Sequence, residues 1–368
     1  MTMLTDARPG PATVTRVQLP NGLTILVREN HSAPVAVLEG VLPVGAIHDP
    51  RPKRGLANFV ASTLTRGSRR YDYATFNETV EAVGASLAIS GDTHTTGISV
   101  SGLSEDFPLL LDVLADVLRY PTFPAEQCEI VRRQTLVFHQ ERSQDTQRMA
   151  HIRFNQALYG DHPYGAPVTG FPETLTTVEL DDLAAFHAQH YSPQGLTLVI
   201  SGAVHAKQVV EQIEHHLGDW SGPPPDRSCP VPAGDPPAVR VVETIADKVQ
   251  ADLVMGFPAV ARNHPDYYAL RVANTILGQF GMMGRLGESV REEQGLAYYC
   301  YSSLQADHLG GAWVAAAGVN PHNVARAETS IRQEFHRLAN EPVPDEELAD
   351  SQAYMTGLIP LALETNDG

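Results

Sequence analysis

A proline-rich segment divides the chain and limits the folds that its 368 residues can form. Residues 222–237 carry seven prolines in sixteen positions. Proline fixes φ and lacks a backbone donor, so this stretch should be an extended, semi-rigid linker. A chain of this length also exceeds one ordinary hydrophobic core. We therefore predict an N-terminal domain at 1–222, a linker at 223–237 and a C-terminal domain at 238–368.

The two halves repeat one order of predicted elements. Each contains a strand, a helix, two adjacent strands and a further helix. In the first half these elements lie at 35–42, 55–66, 86–90, 95–102 and 104–119. In the second half they lie at 251–256, 265–277, 297–305, 311–318 and 321–339. Strand pairs with helices on one face predict an α+β fold made twice, as two layered α/β sandwich domains with mainly antiparallel sheets.

The first half has further elements that the second half almost lacks. The turn Pro20-Asn21-Gly22 predicts a hairpin, and Pro124 opens a long helix whose counterpart in the second half begins at Pro344. A helix, a strand and another helix then close this half, at 180–190, 195–201 and 206–217. The second half stops at Gly368 before such elements. We therefore expect the C-terminal domain to be incomplete, with an unprotected edge on its sheet.

Composition excludes several classes of function. The formal net charge of −17 argues against a nucleic-acid partner, because phosphate binding needs a surplus of Lys and Arg. No apolar run approaches the roughly 18 to 20 residues of a membrane span, and the N-terminus does not resemble a secretory signal. Cys128, Cys229 and Cys300 are too few and too scattered for a disulfide framework. We predict a cytoplasmic protein with reduced thiols and no membrane partner.

A predicted helix near the N-terminus has small residues at positions where functional side chains could lie together on one face. Its apolar stripe is formed by Leu56, Phe59, Val60 and Leu64. Asn58, Ala61 and Ser62 are predicted to cluster on the opposite, solvated face. Positions 58 and 62 have the i, i+4 spacing by which two histidines bind one zinc ion. Taken alone, this pattern is better explained by an ordinary amphipathic helix with small polar residues on its solvated face.

The run Arg54-Gly55-Leu56-Ala57-Asn58 through Ser62 resembles the zinc-binding helix of the pitrilysin/insulinase family of zinc peptidases. The chain is most similar to the two-domain branch that includes the mitochondrial-processing-peptidase-like proteins. The resemblance implies that the family's two histidines fall at Asn58 and Ser62 and its general base at Ala61. Its third ligand, a glutamate, should fall within 137–139, and we assign it to Phe138. None of these side chains keeps the required chemistry. We predict no metal, no cofactor and no catalytic residue on this chain.

A second segment, residues 278–298, resembles the substrate-binding region of the same family. A glycine-rich stretch leads into Arg291-Glu292-x-x-Gly295-Leu296-Ala297-Tyr298. The resemblance implies that Arg291 and Tyr298 bind the peptide substrate, and Gly295 should allow a sharp turn from helix to strand. In the alternative interpretation, Arg291 is a surface charge paired with Glu292 or Glu288, and Tyr298 is a core aromatic residue.

The loss of the zinc ligands, together with the presence of Arg291 and Tyr298, is compatible with three functions. The first is a non-catalytic subunit of a heterodimeric zinc metallopeptidase, with Arg291 and Tyr298 completing the active site of a zinc-bearing paralogous partner that hydrolyses peptides. The second is a purely structural, core-type subunit of a larger complex, in which both sites are relics. The third, an independent hydrolase, needs a nucleophile and a base that the sequence does not reveal.

Overall fold

The turn Pro20-Asn21-Gly22 joins the first two strands, as predicted, and Gly22 adopts a left-handed φ of +90°. The computed structural model describes residues 10–226, 228, 231–232, 236–279 and 284–366. Nine strands are assigned in this part of the chain. They are β1 (Thr15–Gln18), β2 (Thr24–Glu29), β3 (Val35–Leu42), β4 (Ser86–Gly91), β5 (Thr96–Leu103), β6 (Thr197–Gly202), β7 (Ala251–Ala259), β8 (Ala297–Ala306) and β9 (Gly311–Val319).

Helices follow the strands in both halves. They are α1 (Leu56–Thr63), α2 (Tyr73–Glu81), α3 (Phe107–Arg119), α4 (Ala125–Ser143), α5 (Thr146–Tyr159), α6 (Pro172–Leu175), α7 (Leu180–His190), α8 (Ala206–Leu217), α9 (Tyr267–Gly278), α10 (Gly284–Leu286), α11 (Val324–Asn340) and α12 (Asp345–Ala362). A π-helix, Gly287–Glu293, follows α10 directly. Among these helices of the described chain, none is long and apolar enough to cross a membrane.

The first compact unit comprises the described residues within 10–137, 167–228 and 363–366. Its six strands are ordered β1-β2-β6-β3-β5-β4, and only the β2 and β6 pair is parallel. Alternate residues of the strands are buried against the helices, among them Ile25, Leu38 and Ile98. Burying one such side chain contributes about 1.5–3 kcal/mol. The core therefore lies between the sheet and the helices.

The second compact unit comprises 138–166 and the described residues within 231–362. Its sheet has the order β7-β9-β8, and all nine residues of the central strand β9 are buried. The indole of Trp313 donates a hydrogen bond of 2.8 Å to the side-chain oxygen of Asn274, which satisfies the indole inside the core. A cavity of about 840 Å³ in this unit is lined by α5, β7 and residues 236–245.

The two sheets confirm the predicted repetition of an α+β fold. The order β3-β5-β4 in the first unit equals the order β7-β9-β8 in the second. The two sets of three strands differ in the pairing of their first strands, β3 and β7. β3 also pairs with β6, whereas β7 pairs with β9 and with no other strand of the described residues. The proposed division at residues 222 and 237 remains a prediction, since the compact units are discontinuous along the chain.

Two predicted details are wrong. The helix predicted at 104–119 begins later than expected, since α3 starts at Phe107 with Asp106 as its N-cap residue. Helix α5 was not predicted, although Asp145 caps it by accepting a hydrogen bond of 3.0 Å from the Arg148 N–H. None of the α5 residues is fully buried, so it lacks the narrow apolar stripe that marks a helix in a sequence.

Candidate functional site

A buried carboxylate fixes the start of helix α1, which carries the positions that the resemblance assigns to zinc. Asp49 accepts hydrogen bonds of 2.7 Å from the backbone N–H groups of Gly55 and Ala57. Burial raises the pKa of Asp49 to about 7, although these two donors act to lower it. Gly55 has φ +99°, and a side chain there would meet the Thr169 carbonyl oxygen at 2.6 Å. The sequence before α1 thus specifies where the helix begins.

The three altered positions on α1 do not share a solvated face. Ala61 is fully buried, whereas Asn58 and Ser62 are half-buried. Helix α1 packs against both β4 and α7. A Cβ on Gly91 of β4 would lie only 2.8 Å from the Cα of Asn58, and the Asn58 amide donates to the Gly91 carbonyl at 3.3 Å. The prediction of a solvated face at Ala61 is therefore wrong, because neighbouring elements cover the helix on more than one side.

Phe138 stands on α4 at the position expected for the third metal ligand. Its ring lies 5.6 Å from the guanidinium of Arg142 and 5.7 Å from that of Arg148. These are cation–π contacts, which use the face of the ring. The neighbouring His139 is buried, and its Nδ1 lies 2.6 Å from a guanidinium nitrogen of Arg142. The environment therefore suits an aromatic ring between two arginines.

The side chains at these four positions do not fit zinc. Protein zinc sites use imidazole, thiolate or carboxylate donors at about 2.0–2.3 Å. Asn58 and Ser62 offer only an amide and a hydroxyl, and Ala61 and Phe138 offer no donor. Among the described residues, no group of three or more His, Cys, Asp or Glu side chains suited to a metal includes a residue of α1. No chemical step can be assigned to zinc at this helix.

Replacing Asn58 and Ser62 together by alanine should leave the zinc content of the chain unchanged, because neither residue supplies a competent ligand. Elemental analysis of both chains, dialysed side by side from zinc chloride, measures the difference. A loss of one zinc per chain in the variant would contradict this expectation. The change Asn58→His, Ala61→Glu, Ser62→His should bind zinc only weakly unless Phe138 is also changed to Glu, and a Glu at the buried position 61 would lack solvation.

Gly295 in the second segment lies between two backbone irregularities, a π-helix before it and a β-bulge at Tyr298 after it. The π-helix Gly287–Glu293 precedes it. Such helices are rare in proteins, and those that occur are often found at functional sites. Gly295 has φ +60°, which confirms the predicted turn. Its N–H donates to the Arg291 carbonyl at 2.9 Å, and the Leu296 N–H donates to the Val290 carbonyl at 3.0 Å. These bonds close the end of the π-helix immediately before strand β8.

Tyr298 is the extra residue of a β-bulge. Ala297 pairs with Val319 and Tyr299 pairs with Gly318, so Tyr298 has no residue opposite it in β9. A bulge of this kind re-aims a side chain, and Tyr298 is 83% exposed. The alternative interpretation of Tyr298 as a core aromatic residue is therefore wrong.

Arg291 forms an ion pair, as the alternative interpretation anticipated. Its Nε lies 3.3 Å from the Glu292 carboxylate, whose side chain is 59% exposed. Exposed pairs of this kind contribute about 0–1 kcal/mol. An incoming carboxylate or peptide carbonyl could therefore displace Glu292 at little cost. The Arg291 guanidinium, near the C-terminal end of the π-helix, is therefore held only by a weak ion pair.

A polar network in the second unit was not predicted. Asp252 of β7 accepts hydrogen bonds from the hydroxyl groups of Tyr299 and Thr146, and from the Gln250 amide at 2.9 Å. Burial raises the pKa of the Tyr299 hydroxyl, and the Asp252 carboxylate raises it further. The network joins α5, β7 and β8. No sequence signal pointed to it, because its members come from distant segments and α5 itself was not predicted.

The fold and the altered α1 helix define a peptidase-like protein whose helix lacks zinc donors. Residues 24–170 match the family model described as insulinase (peptidase family M16), and residues 177–355 match that described as peptidase M16 inactive domain. The chain belongs to the M16 (insulinase/pitrilysin) family.

Relatives along nearly the whole chain have related names. An uncharacterized zinc protease of Streptomyces coelicolor is 28% identical over 366 residues, covering 96% of this chain and 78% of the relative. A protein of Helicobacter pylori named a non-peptidase homolog is 23% identical, covering 93% and 78%. The crystal structure of a peptidase M16 inactive domain from Pseudomonas fluorescens has the same fold, with a TM-score of 0.86, 23% identity, and 94% and 83% coverage.

Proposed function

We propose that this chain is the non-catalytic subunit of a heterodimeric zinc metallopeptidase, which contributes Arg291 and Tyr298 to the active site of a zinc-bearing partner. One observation carries the proposal. The α1 helix lacks zinc donors, whereas Tyr298 stands in a β-bulge with 83% of its surface exposed. The bulge turns the Tyr298 side chain out of the regular alternation of β8, so its hydroxyl is accessible to a substrate.

The chemistry of the pair suits a peptide. The guanidinium of Arg291 offers five donors in a fixed fork, and the Tyr298 hydroxyl adds one donor on a rigid ring. Such donors bind backbone carbonyl groups and stabilise the oxyanion that forms when a peptide bond is attacked. In this proposal the partner supplies the zinc ion, and this chain supplies only the donors.

The comparisons support the proposal at the level of the family. The Helicobacter relative is named a non-peptidase homolog, and the Pseudomonas structure is titled an inactive domain. A purely structural subunit is the second candidate, in which the ion pair with Glu292 is the whole role of the Arg291 guanidinium.

The predicted location in the cytoplasm remains a prediction. Cys128 and Cys300 are free and buried, and burial raises the pKa of the Cys128 thiol to about 11, so it resists oxidation. Cys229 lies outside the described residues.

Co-expression with an M16 paralogue that carries an intact His-x-x-Glu-His motif should give a complex with equal amounts of the two chains. Size exclusion with light scattering measures its mass and composition. The matched control is the paralogue expressed alone. Separate elution of the two chains at concentrations well above those in a cell would contradict a heterodimer.

A further inference from the structure

Three side chains of types that bind metals meet at one edge of the first sheet, and none belongs to α1 or to the segment around Gly295. Glu29, the last residue of β2, pairs in parallel register with Gly202, the last residue of β6. The carboxyl ends of parallel strands lie at the same edge, so the residues that follow both strands meet there. His31 comes two residues after Glu29, and His205 is the N-cap residue of α8.

Glu29 stands between the two imidazoles. Its Oε2 lies 3.5 Å from Nε2 of His31 and 3.6 Å from Nδ1 of His205. Its Oε1 accepts a hydrogen bond of 2.8 Å from the Ala206 N–H at the start of α8. That bond fixes the carboxylate and directs the other oxygen toward the histidines.

The spacing of the three ligand atoms is close to that around a tetrahedral ion. Ligands about 2.0–2.1 Å from zinc lie about 3.3 Å apart, so the two distances from Glu29 need to shorten by only a few tenths of an ångström. The ligand nitrogens of the two histidines lie within 4.8 Å of each other. The side chains of His31 and His205 are 51% and 66% exposed and can turn to make this adjustment. Two imidazoles and a carboxylate form the donor set of zinc sites that keep one position open.

We propose that Glu29, His31 and His205 form a surface site for a divalent transition-metal ion, with zinc as the expected ion and water in the remaining position. Within the described chain, these residues are the one group of three or more metal-binding side chains whose ligand atoms all lie within 4.8 Å of one another. Imidazole donors favour zinc, copper and nickel over magnesium and calcium. The ion would join the end of β2 to the start of α8, and would stabilise the fold by binding the folded state alone.

Calorimetric titration of the full chain with zinc chloride tests the proposal. We expect a site that His31→Ala and His205→Ala each weaken by at least about tenfold, because loss of even an outer partner of a metal ligand costs about 10–100-fold. Cobalt chloride should give the visible absorption of tetrahedral cobalt in the wild-type chain and not in these variants. The control is His215→Ala, which removes another exposed histidine of the same unit, from α8 itself, and should change neither result.

A further variant separates the loss of a ligand from damage to the fold. Glu29→Gln keeps an oxygen that can accept the Ala206 N–H but removes the charge that a metal ion needs. It should weaken zinc binding while the metal-free variant unfolds at the wild-type temperature. Equal zinc affinity in wild type, His31→Ala, His205→Ala and His215→Ala would overturn the proposal. Absence of zinc binding by the wild-type chain would overturn it as well.

Discussion

Peptidase activity is expected only when this chain is mixed with a zinc-bearing paralogue, and it should peak near an equimolar ratio of the two. The reason is that α1 of this chain offers no metal donor, while the proposed role of Arg291 and Tyr298 requires a metal held by another subunit. Cleavage of a fluorogenic peptide, measured across a series of mixing ratios, gives the result. Catalysis by metal and oxyanion donors together is worth several orders of magnitude, so the increase should be unmistakable.

Two controls make the mixing experiment decisive. This chain alone should not cleave the peptide, and addition of zinc should not change that. The second control is the paralogue alone, in the same buffer and at the same zinc concentration. If the paralogue alone is as active as the mixture, the proposal of a contributing subunit fails and a purely structural role is favoured.

Removing the Tyr298 hydroxyl should lower kcat of the mixed enzyme by about 10² to 10³, the effect of deleting one oxyanion donor. Tyr298→Phe keeps the ring, and the exposed position leaves the core untouched. The matched control is Tyr268→Phe, because Tyr268 is 72% exposed in the same unit and has no proposed role. Steady-state kinetics of both variants with the wild-type partner measure the difference.

Arg291→Ala in the same assay should raise KM as well as lower kcat, since it removes a charged fork that contacts peptide carbonyl groups in the ground state. Arg332→Ala is its control, because Arg332 is another arginine of the second unit that forms an ion pair with a glutamate, Glu328. Unchanged kinetics for Tyr298→Phe and Arg291→Ala, in complexes of the correct size, would show that the pair is a relic.

Local signals in the sequence predicted most strands and helices. The Asn21-Gly22 turn, the long helix opened by Pro124 and the turn at Gly295 each depend on neighbours in the chain, and the structure confirms all three. Helix α5 escaped prediction because its residues are half-buried on all sides rather than divided into apolar and polar faces. Asp145 caps its start locally, but the stability of the helix depends on tertiary contacts, which a single sequence does not display.

The candidate site was only partly accessible to sequence. The spacing of Arg291 and Tyr298 could be identified from the resemblance, but the bulge that exposes Tyr298 depends on the register between β8 and β9. The burial of Ala61 likewise depends on packing against other elements. The group formed by Glu29, His31 and His205 was missed because the parallel pairing of β2 with β6 joins segments more than 160 residues apart.

The side of β7 that faces away from β9 affects where the second unit opens locally to solvent. In an antiparallel pair, half of the backbone amides of an outer strand point away from its neighbour. In the described residues those amides of β7 have no strand to receive them, whereas β9 is bonded on both sides. Local opening should therefore begin at the outer strands rather than at β9, and the amide hydrogens of β7 should exchange with solvent in an alternating pattern. Strand β9 should exchange only when the unit opens as a whole.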